Sequence, residues 1–190
     1  MKPIEKVVTL ESSSPKGLSV ASLIERGFAP QKGAIDILLI FPPSSVSRRY
    51  GKENLGNLGG DLIPLGIASI AAFLRDKGYG VGVLDCCALA LTDEDIVRVV
   101  KEKQPRIVGF SSTTYLLPSS LMLSKKIRVA FPDKLIILGG SHANVAGRET
   151  IDEYEAFDLI AVGPDGEYTA LEIIDAYKKF KDKVKEIEPV

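Results

Sequence analysis

Hydroxyl side chains stand in a row after one of the apolar runs of the sequence, where they are suited to bind a polar ligand. Ser111, Ser112, Thr113 and Thr114 directly follow the run 106–110. Each hydroxyl can donate one hydrogen bond and accept others. The cap of a following helix needs only one such side chain. The cluster therefore exceeds what a helix cap requires and favours a polar ligand.

A second candidate segment, Gly139-Gly140-Ser141-His142, follows the next apolar run. Paired glycines have no Cβ atoms, so a flat or bulky ligand can approach the backbone closely. His142 is the only histidine of the chain. A lone histidine fits an ordinary polar contact as well as a functional one, and no Ser-His-Asp or Cys-His pairing can be argued from spacing.

A third segment, 163–167, precedes the last helical pattern. Gly163 and Gly166 would permit close approach of a ligand. Asp165 and Glu167 fit the preference of a helix N-terminus for negative charge, so helix capping is the simpler interpretation of these two residues.

The segment 42–63 is unusually long for a strand-to-helix loop, which commonly has two to six residues. It contains four glycines together with Arg48, Arg49, Tyr50 and Asn54. Its length and place predict a cover over a ligand or partner. The alternative is a surface excursion without a ligand.

Five apolar runs alternate with helical patterns and predict the elements that position these segments. Helices are expected at 64–77, behind the cap Thr92, at 118–130, at about 148–154 and at 166–180, and strands at 35–41, 80–84, 106–110, 134–138 and 159–162. This alternation predicts a doubly wound, parallel α/β fold of the flavodoxin-like type with strand order 2-1-3-4-5. Ligands of such sheets bind beyond the carboxyl ends of the strands, at the switch point between strands one and three.

The expected organisation is an N-terminal extension at 1–33 that is partly ordered, one domain at 34–182, and a tail or linker start at 183–190.

The overall composition narrows the class of protein. A formal net charge of −1 gives no broad attraction to nucleic acid, and no apolar run reaches the roughly 20 residues that span a membrane. The only cysteines, Cys86 and Cys87, are adjacent and form neither a disulfide framework nor a metal cage, as expected in the cytoplasm. The fingerprints of dinucleotide-binding and phosphate-loop proteins are absent from the sequence.

Several of these segments together resemble a known family. The run 63–74, which begins Ile63-Pro64-Leu65-Gly66, is followed by Lys77-Gly78-Tyr79 and by Val83-Leu84-Asp85. Further matches are Val108-Gly109-Phe110-Ser111, Gly139-Gly140-Ser141-His142-Ala143 and the segment 158–167. In this order and spacing they resemble the N-terminal B12-binding domain of cobalamin-dependent radical SAM proteins, although Pro164-Asp165 departs from the usual ending.

The resemblance implies that cobalamin lies over the carboxyl ends of the strands, with its nucleotide tail beside the sheet. By this likeness Ser111, Ser112 and Thr113 contact the tail, and Gly139 and Gly140 make room for it. The same likeness places Ser141, His142, Gly163, Pro64 and Gly66 at the cofactor, while 42–63 covers the corrin ring.

Two departures restrict the implied function. Residues 42–63 contain no histidine, so the cobalt-ligating histidine that other B12 domains supply from this loop is missing. The radical SAM domain expected to follow would carry a Cys-x-x-x-Cys-x-x-Cys motif for an iron–sulfur cluster, and this chain contains no such motif. The chain alone is therefore expected to bind cobalamin without catalysing methyl transfer, as part of a larger enzyme.

Two other functions remain open from the sequence. One is a degenerate, non-catalytic interaction module that keeps the fold and binds no corrinoid. The other is a domain that binds a nucleotide or a flavin.

Overall fold

The computed structural model describes residues 34–43, 63–89 and 91–180. Its five parallel strands form one sheet in the order β2-β1-β3-β4-β5. The strands are β1 (Ile37–Phe41), β2 (Val81–Asp85), β3 (Ile107–Ser111), β4 (Leu135–Gly139) and β5 (Leu159–Ile160). The helices are α1 (Leu65–Asp76), α2 (Asp93–Lys103), α3 (Leu117–Ala130), α4 (Ser141–Glu153) and α5 (Gly166–Phe180). The predicted flavodoxin-like fold and strand order are confirmed.

Successive residues of each strand pack into two separate hydrophobic cores, because side chains alternate between the faces of a sheet. On one face Ile37 and Leu39 of β1 pack with Leu74 of α1 and Ile174 of α5. On the other face Leu38, Ile40 and their neighbours pack against α2 and α3. Burial on both faces explains why the strands read as unbroken apolar runs.

The start of α2 follows the sequence prediction closely. Thr92 is the N-cap, and its hydroxyl accepts a hydrogen bond from the backbone N–H of Asp95. The Asp95 carboxylate in turn accepts a hydrogen bond from the backbone N–H of Thr92. This reciprocal pair is a capping box, which satisfies two backbone donors that the helix itself leaves free.

One helix differs from its prediction. The sequence pattern suggests a weak helix at about 148–154, whereas α4 begins at Ser141, directly after Gly140. Gly147 and the non-helical backbone of Ala146 (φ −138°, ψ 27°) interrupt the helical pattern, and so conceal the first turns. Ser141 and His142 therefore lie in the first turn of a helix and not in a loop that extends to residue 147.

Helices α1 and α5 are joined at the amino edge of the sheet. The hydroxyl of Tyr79, just after α1, donates a hydrogen bond to Asp175 of α5. Lys178 of α5 lies 4.1 Å from the centroid of the Tyr79 ring, and its Nζ lies 3.4 Å from Oδ1 of Asp36. Asp36 also accepts a hydrogen bond from the backbone N–H of Gly80. These contacts link the two helices to each other and to the sheet at this edge.

Among the described residues, no helix has both the length and the apolar character needed to cross a bilayer.

Candidate functional site

A cavity of about 430 Å³ lies between the sheet and helices α1 and α5. It extends from Gly139 and Gly140 at the carboxyl edge as far as Leu39 and Ile37, near the beginning of β1. The helix sides include Ile67 and Ile70 of α1 and Ala170 and Ile173 of α5. The cavity therefore suits an elongated and largely apolar segment that enters from the carboxyl edge.

The floor of this cavity depends on Gly109 in the middle of β3. A Cβ atom at this position would lie 3.2 Å from Cδ2 of Leu39 and 3.6 Å from Cδ1 of Ile37. Any larger side chain would project over the sheet face that α1 and α5 cover. Glycine thus leaves the floor open where its neighbours in the sheet carry large side chains.

Gly140 shapes the rim of the cavity. Its φ of +93° lies in the left-handed region, and a Cβ atom would come within 2.6 Å of the Ser112 carbonyl oxygen. The backbone N–H of His142 donates a hydrogen bond to this same oxygen. Gly140 therefore brings the beginning of α4 directly against the end of β3.

The uncapped helix N-termini at the rim supply further polar groups. Helix α1 begins after Pro64 and α4 after Gly140, and neither N-cap residue makes a side-chain hydrogen bond to its helix. Backbone N–H groups at such ends are available to ligand oxygens.

The hydroxyl side chains at 111–113, at the end of β3 and just after it, lie in different surroundings. Ser111 lines the cavity. Ser112 is buried, and its hydroxyl donates to the Thr113 carbonyl and accepts from Ser120. Thr113 is exposed. The sequence left open that one of these hydroxyls caps the following helix. The N-cap of α3 is instead Leu116, so none of them does.

His142 is buried and held between two threonines. Its Nε2 lies 2.8 Å from the hydroxyl of Thr150, and its Nδ1 lies 3.1 Å from that of Thr114. The Thr150 hydroxyl donates its own hydrogen to the Ala146 carbonyl. It therefore accepts from Nε2–H, and the Thr114 hydroxyl donates to Nδ1. Both ring nitrogens are thus engaged within the protein, and His142 is not among the residues that line the cavity.

The remaining predicted site residues lie at the mouth. Gly66, Gly139, Gly140, Ser141 and Gly163 line the cavity, and Pro64 immediately precedes α1 beside it. The backbone N–H of Gly163 donates to Oδ1 of Asn144, which joins the β5–α5 loop to α4. The predicted cobalamin contacts of all these residues stay predictions. Residues 44–62, with Arg48, Arg49, Tyr50 and Asn54, lie outside the described residues, as do 1–33 and 181–190.

Glu167 is the site residue whose role the sequence did not indicate. Its Oε1 accepts a hydrogen bond from the Ser69 hydroxyl of α1 at 2.6 Å. This bond, and the nearby backbone N–H of Glu167, hold the pKa of the carboxyl below its ordinary value. Glu167 therefore lines the cavity as a carboxylate instead of only capping α5.

Gly109 was also absent from the predicted set of contacts. A lone glycine inside an apolar strand is a known sign of close approach by a ligand or another backbone. That signal was available in the sequence, whereas the partner of Glu167 stands 98 residues away.

Ligand binding is the chemistry that the arrangement supports. The described lining residues include the hydroxyls of Ser111 and Ser141 but no histidine or lysine that could activate them. No group of three His, Cys, Asp or Glu side chains in the described part of the chain could hold a metal ion. Burial raises the pKa of the Cys86 thiol well above its ordinary value, so this thiol is unreactive.

Comparison with known proteins identifies the family. Residues 51–174 match the model of the B12 binding domain. The chain is 30% identical over 146 residues to an uncharacterized methyltransferase of Pyrococcus horikoshii, and 30% identical over 149 residues to the anaerobic magnesium-protoporphyrin IX monomethyl ester cyclase of Synechocystis. Each match covers 77% of this chain. Cytidylyl-2-hydroxyethylphosphonate methyltransferase of Streptomyces wedmorensis is 31% identical over 152 residues, which cover 66% of the chain.

The matches extend over only 28–30% of the length of these relatives. Within that part, the family match includes α1, β3, β4 and most of α5, which line much of the cavity, whereas β1 lies before the matched residues. This chain therefore belongs to the B12-binding domain family, which confirms the relationship that its sequence motifs indicate.

Proposed function

We propose that this domain binds cobalamin by inserting the nucleotide tail into the cavity between the sheet and helices α1 and α5. The corrin ring then lies outside, across the carboxyl edge of the sheet. The observation that carries the proposal is the cavity itself, whose glycine floor at Gly109 opens the sheet face to an elongated ligand.

The lining chemistry fits the tail of a corrinoid. The base of the tail is flat and apolar, and the floor and walls of the cavity are aliphatic. Ser111, Ser141 and Asn144 stand nearer the mouth and offer hydrogen bonds to a sugar or a phosphate. Helix α4 begins at the same rim without a side-chain cap, so its positive end faces the ligand oxygens.

We propose further that no histidine of this chain ligates cobalt. His142 is the single histidine, and Thr114 and Thr150 engage its two ring nitrogens. Ligation through Nε2 would leave the buried Thr150 hydroxyl without its imidazole partner, and ligation through Nδ1 would require cobalt to displace Thr114 from a buried ring.

The domain would serve a radical SAM enzyme that transfers methyl groups. When bound, cobalamin supplies a cobalt centre that carries a methyl group for transfer. Two of the relatives are named methyltransferases, and all three are more than twice as long as this chain, which leaves room in them for a catalytic domain. We propose residues 34–182 as the binding unit, 1–33 as an extension and 183–190 as the start of a linker. Cys86 and Cys87 form no disulfide, which fits a reducing, cytoplasmic setting.

A retention experiment tests the binding proposal. The purified chain is incubated with hydroxocobalamin, desalted, and examined for corrinoid absorbance. The Gly66→Leu variant should lose most of the retained corrinoid, because a side chain at Gly66 enters open space at the cavity mouth without meeting any atom within 4 Å. Ala72→Leu is the matched control, since Ala72 is an exposed residue of the same helix and does not line the cavity.

The outcomes separate the candidate functions. Corrinoid retained by the wild type and by Ala72→Leu, but not by Gly66→Leu, supports the proposal. A wild type that retains none, at micromolar protein, contradicts it and favours the interaction module. Retention of a flavin or nucleotide in place of the corrinoid favours the third function. A Cys-x-x-x-Cys-x-x-Cys motif in the coding sequence beyond residue 190 would support the radical SAM assignment.

A further inference from the structure

The charge pattern of the cavity is unusual for a site that receives part of a nucleotide. Among its described lining residues Glu167 is the one charged side chain, and none is lysine, arginine or histidine. The other polar side chains there, Ser111, Ser141, Asn144 and Thr169, are neutral. A fixed negative charge beside apolar walls repels anions and attracts hydrogen-bond donors.

Glu167 is held in place with acceptor capacity to spare. Ser69 donates to Oε1 at 2.6 Å, and no cationic side chain of the described residues pairs with the carboxylate. An ionised carboxyl group has about four acceptor positions on its two oxygens. The Ser69 bond and the nearby backbone N–H of Glu167 hold the side chain, and the two oxygens keep acceptor positions for a ligand.

The surroundings of Glu167 restrict which ligand groups can contact its carboxylate. Ile70 of α1 and Gly166 of α5 are so close that a Cβ atom at Gly166 would lie 3.0 Å from Cδ1 of Ile70. This close helix contact narrows the cavity beside the carboxylate. A phosphate there would face a negative charge with no cationic side chain among the described lining residues, whereas a hydroxyl or carboxamide N–H would donate to the carboxylate.

We propose that Glu167 is a specificity-determining residue of this cavity. It accepts a hydrogen bond from a neutral donor of the bound ligand and disfavours a phosphate group directly beside its carboxylate. The donor is either a ribose hydroxyl of the tail or a carboxamide N–H of the corrin periphery. The proposal rests on the proposed cobalamin function. It goes beyond that function by naming the kind of ligand group from which the Glu167 carboxylate accepts a hydrogen bond.

Two corrinoids distinguish the two donors. Cobinamide keeps the corrin carboxamides but lacks the nucleotide, so it has no ribose. The dissociation constants of hydroxocobalamin and cobinamide are measured for the wild-type chain and for Glu167→Gln by absorbance titration. A charge-assisted hydrogen bond is roughly twice as strong as a neutral one, so we expect Glu167→Gln to bind hydroxocobalamin about tenfold more weakly.

The ratio of the hydroxocobalamin and cobinamide affinities identifies which group of the ligand donates the hydrogen bond to Glu167. A loss confined to hydroxocobalamin assigns the ribose, and an equal loss for both corrinoids assigns a carboxamide. Glu172→Gln is the control, because Glu172 is an exposed carboxylate of the same helix outside the cavity. It should bind both corrinoids as the wild type does.

Ser69→Ala separates ligand recognition from the joining of the helices. It removes the α1–α5 hydrogen bond and keeps the carboxylate, so it should retain most of the hydroxocobalamin affinity. The proposal is overturned if Glu167→Gln binds both corrinoids as tightly as the wild type, or if Ser69→Ala loses as much affinity as Glu167→Gln. A wild type that binds no corrinoid overturns the proposed function as well, so the two failures are distinguishable.

Discussion

Gly109 of β3 faces Leu39 of β1 so closely that a methyl group at position 109 would lie 3.2 Å from the Leu39 Cδ2 atom. The contact joins two neighbouring strands on the sheet face that α1 and α5 cover. The empty space above the sheet at this point belongs to the cavity.

Gly109→Ala should reduce tail binding more than it reduces stability. The added methyl group meets only the ends of the Leu39 and Ile37 side chains, so the free energy of unfolding should change by about 1 kcal/mol or less. The hydroxocobalamin affinity should fall at least several-fold, because the methyl group occupies the cavity floor. Cobinamide, without a tail, should bind as before. Equal losses for the two corrinoids would contradict this role of the floor.

Gly140→Ala should be more damaging than Gly163→Ala. Both glycines have positive φ, +93° at Gly140 and +135° at Gly163. A Cβ atom at Gly140 also collides with the Ser112 backbone, while one at Gly163 meets nothing within 4 Å. We expect losses of about 3 kcal/mol or more at Gly140 and about 1 to 2 kcal/mol at Gly163 in urea unfolding. Comparable losses would show that the collision is relieved by a small backbone shift.

Thr150→Val should destabilise the domain more than Thr114→Val does. Thr150 is buried, and its loss leaves the Nε2–H of His142 without an acceptor, at a cost of about 1 to 3 kcal/mol. Thr114 is exposed, so water can replace its hydroxyl at Nδ1. Thermal unfolding of the two variants compares these costs. A larger loss for Thr114→Val would mean that Nδ1 is the buried nitrogen that depends on its partner.

The Asp95 carboxylate should make stability depend on pH in acid. Hydrogen bonds from the Thr92 side chain and backbone lower its pKa below the ordinary value of 3.8, against a smaller opposing effect of burial. The folded state therefore binds a proton less readily than the unfolded state. This stabilisation is complete above about pH 5 and is lost as the pH falls through the lowered pKa.

Asp95→Asn provides the comparison. The wild type should be more stable than the variant by roughly 0.5 to 1 kcal/mol at pH 7. Other acidic groups titrate in both proteins, so their contributions cancel. The difference between the two unfolding free energies should narrow between pH 4 and pH 2. A difference that does not change with pH would assign the effect of the substitution to packing.

Sequence patterns were sufficient for the sheet, because a strand buried on both faces leaves a continuous apolar run. The runs before Pro42 and Gly139 place β1 and β4 within one or two residues. Strand order cannot be read from sequence directly, and the correct order was predicted because the flavodoxin-like arrangement is a common one for five strand-helix units. Helix α4 was misplaced, because its first turns contain few apolar residues and a break at Ala146.

The candidate site was less predictable, because its key contacts join distant parts of the chain. Ser69 and Glu167 meet only after the sheet has brought α1 and α5 side by side. The burial of His142 follows from the start of α4 at Ser141, so an error in one helix boundary also changes the environment of this histidine. Ser111, Gly139 and Gly140 reached the cavity as expected, because they directly end their strands.

The joining of α1 and α5 at both ends has a kinetic consequence. Tyr79 and Asp175 hold the helices together at the amino edge, and Ser69 and Glu167 hold them near the carboxyl edge. A ligand segment cannot enter sideways unless these bonds open, so it threads end-on past the Ser69–Glu167 bond. The association rate constant of the ligand, and not only its affinity, therefore reports how easily the ligand passes this end-on entrance.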